Sequence, residues 1–163
     1  MIAYKFLRPD GSGVFTRYAW PLPDGGPGAW VEAPVVACRS GVHACRAEDL
    51  PLWLGEDLYE IELGGQIVAE RMKVVAARGR LLRRIGAWDD AARAAYTEDC
   101  VARAHALAAH LPDWDAAVEP ASAGGPAAIG FIAARIAEER DGPAAYHAER
   151  ARQVAWLSAR LGL

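Results

Sequence analysis

Lysine is nearly missing from this chain: of 18 basic residues in 163, only Lys5 and Lys73 are lysine. Alongside the abundance of alanine, this reads as a GC-rich coding bias rather than a chemical choice. Cysteine is also scarce. Three residues, Cys38, Cys45 and Cys100, are too few and odd in number for a disulfide framework. The N-terminal MIAYKFLRPDGSG lacks the apolar run of a secretory signal, and no stretch reaches the length of a membrane span. Free thiols in a cytoplasmic protein are therefore expected. Charge of either sign is not in excess: the net charge is -3 and 24% of residues are charged. That balance argues against a membrane partner and gives no reason to expect nucleic acid. A small molecule or a protein remains as the partner.

The composition changes near Trp88. Before it, Val, Ile, Tyr and Trp alternate with Gly and Pro; after it, Ala dominates. The pattern implies an α+β protein, with a β-rich unit over 1–88 and an Ala-rich three-helix layer over 89–163, completing one globule. Met1–Arg8 alternates as a strand, and Pro9–Gly13 is a turn whose Pro, Asp and Gly each favour it. Val14–Trp20 is expected to return as the second strand of a hairpin. Pro21–Gly28 is a loop, and Ala29–Val36 an edge strand interrupted by Pro34. Gly41 bends the chain into a short extended segment, Val42–Cys45. Arg46–Leu54 reads as one or two helical turns, with Pro51 tolerated in the first turn. Asp57–Leu63 alternates as a strand, Gly64-Gly65 reads as a turn, and Gln66–Ile85 holds one or two strands with Gly79 as a bend. Helices are expected from Asp89 to about His110, from Pro126 to Arg140 and from Pro143 to Leu161, with Gly162 closing the last. Asp113–Val118 is a short turn of helix. Glu119–Gly125 is a loop in which Ser122 can cap. Ile129, Ile132 and Ile136 share one helical face; Val154, Leu157 and Leu161 share another.

The richest chemistry lies in Val35–Leu63, where Cys38, His43 and Cys45 fall within eight residues. Thiolate and imidazole suit zinc, which would make this a small structural zinc domain. The spacing is not that of a standard finger or ribbon, and a fourth ligand must come from elsewhere. Cys100 and His105 are five apart on a helix, about 140° around it from each other. A Cys–His nucleophile is a second reading. His43 and Cys45 leave one face of a strand with Cβ atoms about 6–7 Å apart, but no Asn or Asp orients the pair. In the third reading the thiols are small core residues. Arg71, Lys73, Arg78, Arg80, Arg83 and Arg84 place six positive charges in 14 residues without an acid. They could bind phosphate groups or nucleic acid, or form a solvated sheet face or Arg-guarded edge paired with acids of the helical half. Trp20, Trp30, Trp53 and Trp88 are core aromatics or a stacking wall for a planar ligand.

The segment CRSGVHACRAEDLPLWLGEDLYEIEL, with KVVAARGRLLRRI after it, resembles a bacterial and phage domain family of unknown function with a Gly–hydrophobic–His–Ala–Cys core. That resemblance covers about residues 1–88 and implies no activity. The order of SGVHACRAEDLPLWLGEDLYEIEL is also similar to the ADP-ribosyltransferase layout. This second resemblance implies NAD as cofactor, with His43 lining a nicotinamide pocket and Glu70 fixing the ribose 2′-hydroxyl. Trp53, Arg71, Lys73 and Arg78 would surround the ligand. The chain departs from that layout in lacking the usual His or Arg on the first strand, where Tyr4 and Arg8 are nearest, and a Ser-Thr-Ser. With no convergent acid, base and nucleophile, the favoured reading is a non-enzymatic binding or accessory domain. An NAD-handling enzyme and a zinc domain are the alternatives.

Overall fold

The computed structural model describes residues 1–36 and 39–163, and the chain divides into two compact units, Met1–Gly86 and Ala87–Leu163. The protein is α+β: among the described residues, the first unit has five antiparallel strands and the second has five α-helices. No helix among the described residues is long and apolar enough to cross a membrane.

The first unit contains β1 (Ile2–Leu7), β2 (Val31–Glu32), β3 (Val42–Ala44), β4 (Asp57–Ala69) and β5 (Val74–Arg84). The strand order is β1-β4-β5-β2, with β3 also pairing to β5. Tyr4 and Cys45 then exchange two backbone hydrogen bonds of 2.8 Å. This bridge joins β3 back to β1, so β1, β4, β5 and β3 form a closed antiparallel ring. Closure hides strand edges and buries the alternate side chains Ala3, Leu7, Val42, Ile61, Leu63 and Leu81.

Two departures from the sequence pattern shape this unit. Gly64-Gly65 is not a turn: β4 runs through it to Ala69, and the register slips between Gly64 and Ile67. Gly65 sits at φ +70°, where its missing Cβ lets one extra residue bulge without ending the strand. The actual hairpin turn spans Glu70–Lys73, closed by the Glu70 N–H donating to the Lys73 carbonyl at 2.9 Å. Val14–Trp20 does not form a strand either. Gly13 donates to the Tyr18 carbonyl at 2.8 Å, Arg17 takes φ +59°, and Phe15 stays 82% exposed. This folded-back loop leaves only isolated bridges, Leu7 to Gly13 and Ser12 to Ala19.

The second unit contains α1 (Asp90–Ala108), α2 (Pro112–Asp115), α3 (Val118–Ala123), α4 (Pro126–Asp141) and α5 (Pro143–Leu161). Asp89 caps α1 by accepting the Ala92 N–H at 2.8 Å. Pro126 and Pro143 open α4 and α5, and Gly162 ends α5 at φ +68°. The expected loop Glu119–Gly125 is mostly the helix α3, and Ser122 lies inside it rather than capping. Trp88, Tyr96, Leu107, Ile129, Ile136 and Leu157 are fully buried or nearly so. Tyr96 meets Trp88 edge-on at 6.3 Å and Trp156 at 5.3 Å. On α5 Leu157 and Leu161 are buried as expected; the stripe continues through Glu149 and Gln153, while Val154 is only half-buried.

Candidate functional site

The residues singled out by sequence converge on the β4–β5 turn. Arg46 forks onto Asp49, with Nε to Oδ2 at 2.6 Å and Nη2 to Oδ1 at 3.1 Å. The same Nη2 donates to the carbonyls of Glu70 and Arg71 at 3.3 Å each. Trp53 sits just after the short 3-10 helix Ala47–Leu52 and donates its indole N–H to the Met72 carbonyl at 2.6 Å. Three consecutive carbonyls of the turn are thus held by two side chains from one neighbouring segment. Within the turn, Glu70 pairs with Lys73 at 3.3 Å.

His43 stands beside this clamp, paired across the sheet with Val75. Burial holds its imidazole below the ordinary pKa, Lys73 and Lys5 reinforce this, and Glu70 and the Ser40 main chain oppose it. Its Nε2 is buried without a hydrogen-bond partner among the described residues. Glu70 therefore lies within electrostatic range of His43, while its carboxylate is engaged by Lys73. Arg71 and Arg78 are exposed, and Arg78 stacks on Trp30 at 4.7 Å. Cys45 is buried and donates its thiol to the Tyr4 carbonyl at 3.3 Å; burial pushes that thiol up to about 12. Such a thiol is almost entirely protonated at neutral pH and is a poor nucleophile or ligand. Cys38 lies outside the described residues. Among the described residues no group of three His, Cys, Asp or Glu side chains is placed to hold a metal.

Lys5 adds a feature that sequence reading passed over. It lies between the buried Ala3 and Leu7 on one face of β1, donates to the His43 carbonyl at 2.8 Å, and stands 4.6 Å from the Trp20 ring centroid. Burial holds its ammonium down at about 8.

The arginine run is balanced from within the sheet. Glu62 meets Arg80 at 2.8 Å, Glu60 meets Arg83 at 2.6 Å and Asp57 meets Arg84 at 2.6 Å. The acids come from β4, because the strand partner register sets Glu62 opposite Arg80 and Glu60 opposite Arg83. A cavity of about 380 Å³ opens beside these pairs, between Arg83, Arg84, Tyr59 and the loop residues Leu22, Pro23 and Gly25.

The second unit holds a buried charged network that the sequence pattern did not reveal. Glu149 is only 3% exposed. Its Oε2 accepts from Arg103 Nε at 3.0 Å and Arg152 Nε at 3.2 Å; its Oε1 accepts from Arg152 Nε at 3.0 Å and Gln153 Nε2 at 3.2 Å. Arg152 also donates to Asp99 at 2.7 Å. Gln153, fully buried, donates to the Gly130 carbonyl at 2.9 Å and accepts from Arg150 at 2.9 Å. Burial pushes the Glu149 carboxyl up, but its bonds from Arg152, Arg103 and Gln153 outweigh this and hold it below the usual range. A cavity of about 320 Å³ lies against this network, with Arg103, Arg140, Arg152, Leu107, Ala137 and Ala145 in its wall. The available signal was the spacing of four in Glu149, Gln153, Leu157 and Leu161, in which two polar residues continue an apolar stripe.

No family model matches the chain, and no curated protein or solved structure is significantly similar to it.

Proposed function

We propose that this chain is a non-enzymatic binding or accessory domain, in which the His43 and Glu70 region is a structural clamp. One observation carries the reading: apart from the His43 imidazole, the side chains gathered at the β4–β5 turn already have structural partners. Glu70 is paired with Lys73, the Trp53 indole is donated to the Met72 carbonyl, and Arg46 is shared between Asp49 and the turn. Two cavities, of about 380 and 320 Å³, are lined by other residues. General acid–base or nucleophilic work needs a free, convergent set beside a substrate cavity.

The test is thermal denaturation of the full chain with NAD⁺, ADP-ribose and ATP in turn. The expected result is no rise in Tm with any of them. A rise with NAD⁺ that disappears in His43→Ala or Glu70→Gln would replace this reading with the ADP-ribosyltransferase one.

A further inference from the structure

We propose that the cavity between α1, α4 and α5 is a binding site for a small organic carboxylate, an inference that deepens the binding-domain reading and rests on it. Three guanidinium groups from three helices line it: Arg103 from α1, Arg140 from α4 and Arg152 from α5. Two of them are positioned by one buried anchor, since Arg103 Nε and Arg152 Nε converge on Glu149 Oε2 at 3.0 and 3.2 Å. Arg103 uses only Nε in this way, so both of its terminal nitrogens have no hydrogen-bond partner among the described residues. The Nη2 of Arg152 is buried and, despite lying 2.9 Å from Glu149 Oε1, has no hydrogen bond of acceptable geometry. Arg140 is held only by its exposed neighbour Asp141, a weak surface pair that can yield to a better acceptor.

Planar guanidinium forks match planar carboxylates. Charge selects between oxyanions. Arg103, Arg140 and Arg152 are matched by Asp99, Asp141 and Glu149, so the set is neutral before a ligand arrives. A monoanion disturbs that balance less than a phosphate dianion does. Leu107, Ala137 and Ala145 supply an apolar wall, and the volume of about 320 Å³ accommodates a small body attached to the carboxylate.

The experiment titrates benzoate into the full chain at constant ionic strength, reading Tm and calorimetric Kd, with benzamide and inorganic phosphate as parallel arms. Benzoate should raise Tm progressively, with the logarithm of its concentration once that exceeds Kd, and benzamide and phosphate should not. Arg140→Ala, at an exposed position that leaves the fold intact, should weaken benzoate by about tenfold, and Arg103→Gln by at least as much. No benzoate response, an equal response to benzamide, a response to phosphate alone, or full affinity in Arg140→Ala would each overturn the proposal. Failure here leaves the NAD⁺ prediction unaffected, whereas NAD⁺ binding that depends on His43 or Glu70 would overturn the domain reading whatever benzoate does.

Discussion

Replacing Glu149 with Ala removes a carboxylate that is 3% exposed and serves Arg103, Arg152 and Gln153 together. Breaking a buried ion pair by deleting one partner costs about 3–5 kcal/mol, because the other charge is stranded. The arginines are not sealed in: the Arg103 and Arg152 side chains are 43% and 33% exposed and recover some hydration. That recovery lowers the expected loss to about 2–3 kcal/mol. With a urea m-value of about 1–3 kcal/mol/M, the midpoint should fall by about 0.7–3 M. Arg140→Ala is the matched control, since its exposed pair with Asp141 predicts a change within about 0.5 kcal/mol. The pH dependence gives a second reading of the same group. A carboxyl held below its unfolded value contributes stability that is complete above about pH 4.3 and fades as pH falls through the lower folded value. The gap between wild type and Glu149→Gln should therefore be widest near neutrality and narrow steadily below about pH 4.3. A loss under about 1 kcal/mol in Glu149→Ala, or a gap that does not change with acid, would refute the argument that this carboxylate anchors the network.

Gly130→Ala should destabilise by about 1–3 kcal/mol, because the new Cβ would sit 2.9 Å from the buried Tyr96 hydroxyl and 3.3 Å from Gln153 Oε1. Gly86→Ala, with nothing within 4 Å, should stay within about 0.5 kcal/mol in the same denaturation series. Lys5→Met should stabilise at neutral pH by about 1 kcal/mol, since it removes a charge from an apolar setting without a carboxylate partner. The sign of the lysine effect follows from its depressed pKa: charging Lys5 costs the fold fully below about 8 and nothing above about 10.4, the unfolded value. Wild-type stability should accordingly gain a rising component between those pH values that Lys5→Met lacks; parallel profiles would contradict it. Gly65→Ala should cost about 1–2 kcal/mol through the φ of +70° alone, visible as a lower urea midpoint.

Fold class was legible because it rests on averages. The alternation of Asp57–Leu63 and the run of Ala after Trp88 each specify an element over many residues. Local punctuation was less legible. Gly64-Gly65 has turn composition, yet with β5 available along its whole length the chain gains more by bulging at Gly65 and continuing the ladder. The turn that does form, Glu70–Lys73, has no Gly, Pro or Asn to signal it, and depends on Arg46 and Trp53 from a segment some 20 residues away. Non-local stabilisation of that kind leaves no pattern in a short window. The positive run of residues 71–84 looked unbalanced for the same reason: the acids that meet Arg80, Arg83 and Arg84 stand 18 to 27 residues earlier, on β4. Glu149 and Gln153 were hidden differently. Hydropathy assigns both to a surface, and only their position on the spacing of Leu157 and Leu161 marks them as interior. His43 stands out in the sequence as the polar residue of its segment, but its surroundings, Lys5, Lys73 and Glu70, come from other places in the chain and leave no local pattern.

The central claim is that the His43–Glu70 region holds a turn rather than turning over a nucleotide. The most direct measurement is release of nicotinamide from NAD⁺ by the purified chain at stoichiometric concentration, followed by chromatography over several hours. No release above the protein-free blank is expected, in wild type and in Glu70→Gln alike. Release by wild type that is lost in Glu70→Gln, with the variant still folded, would contradict it.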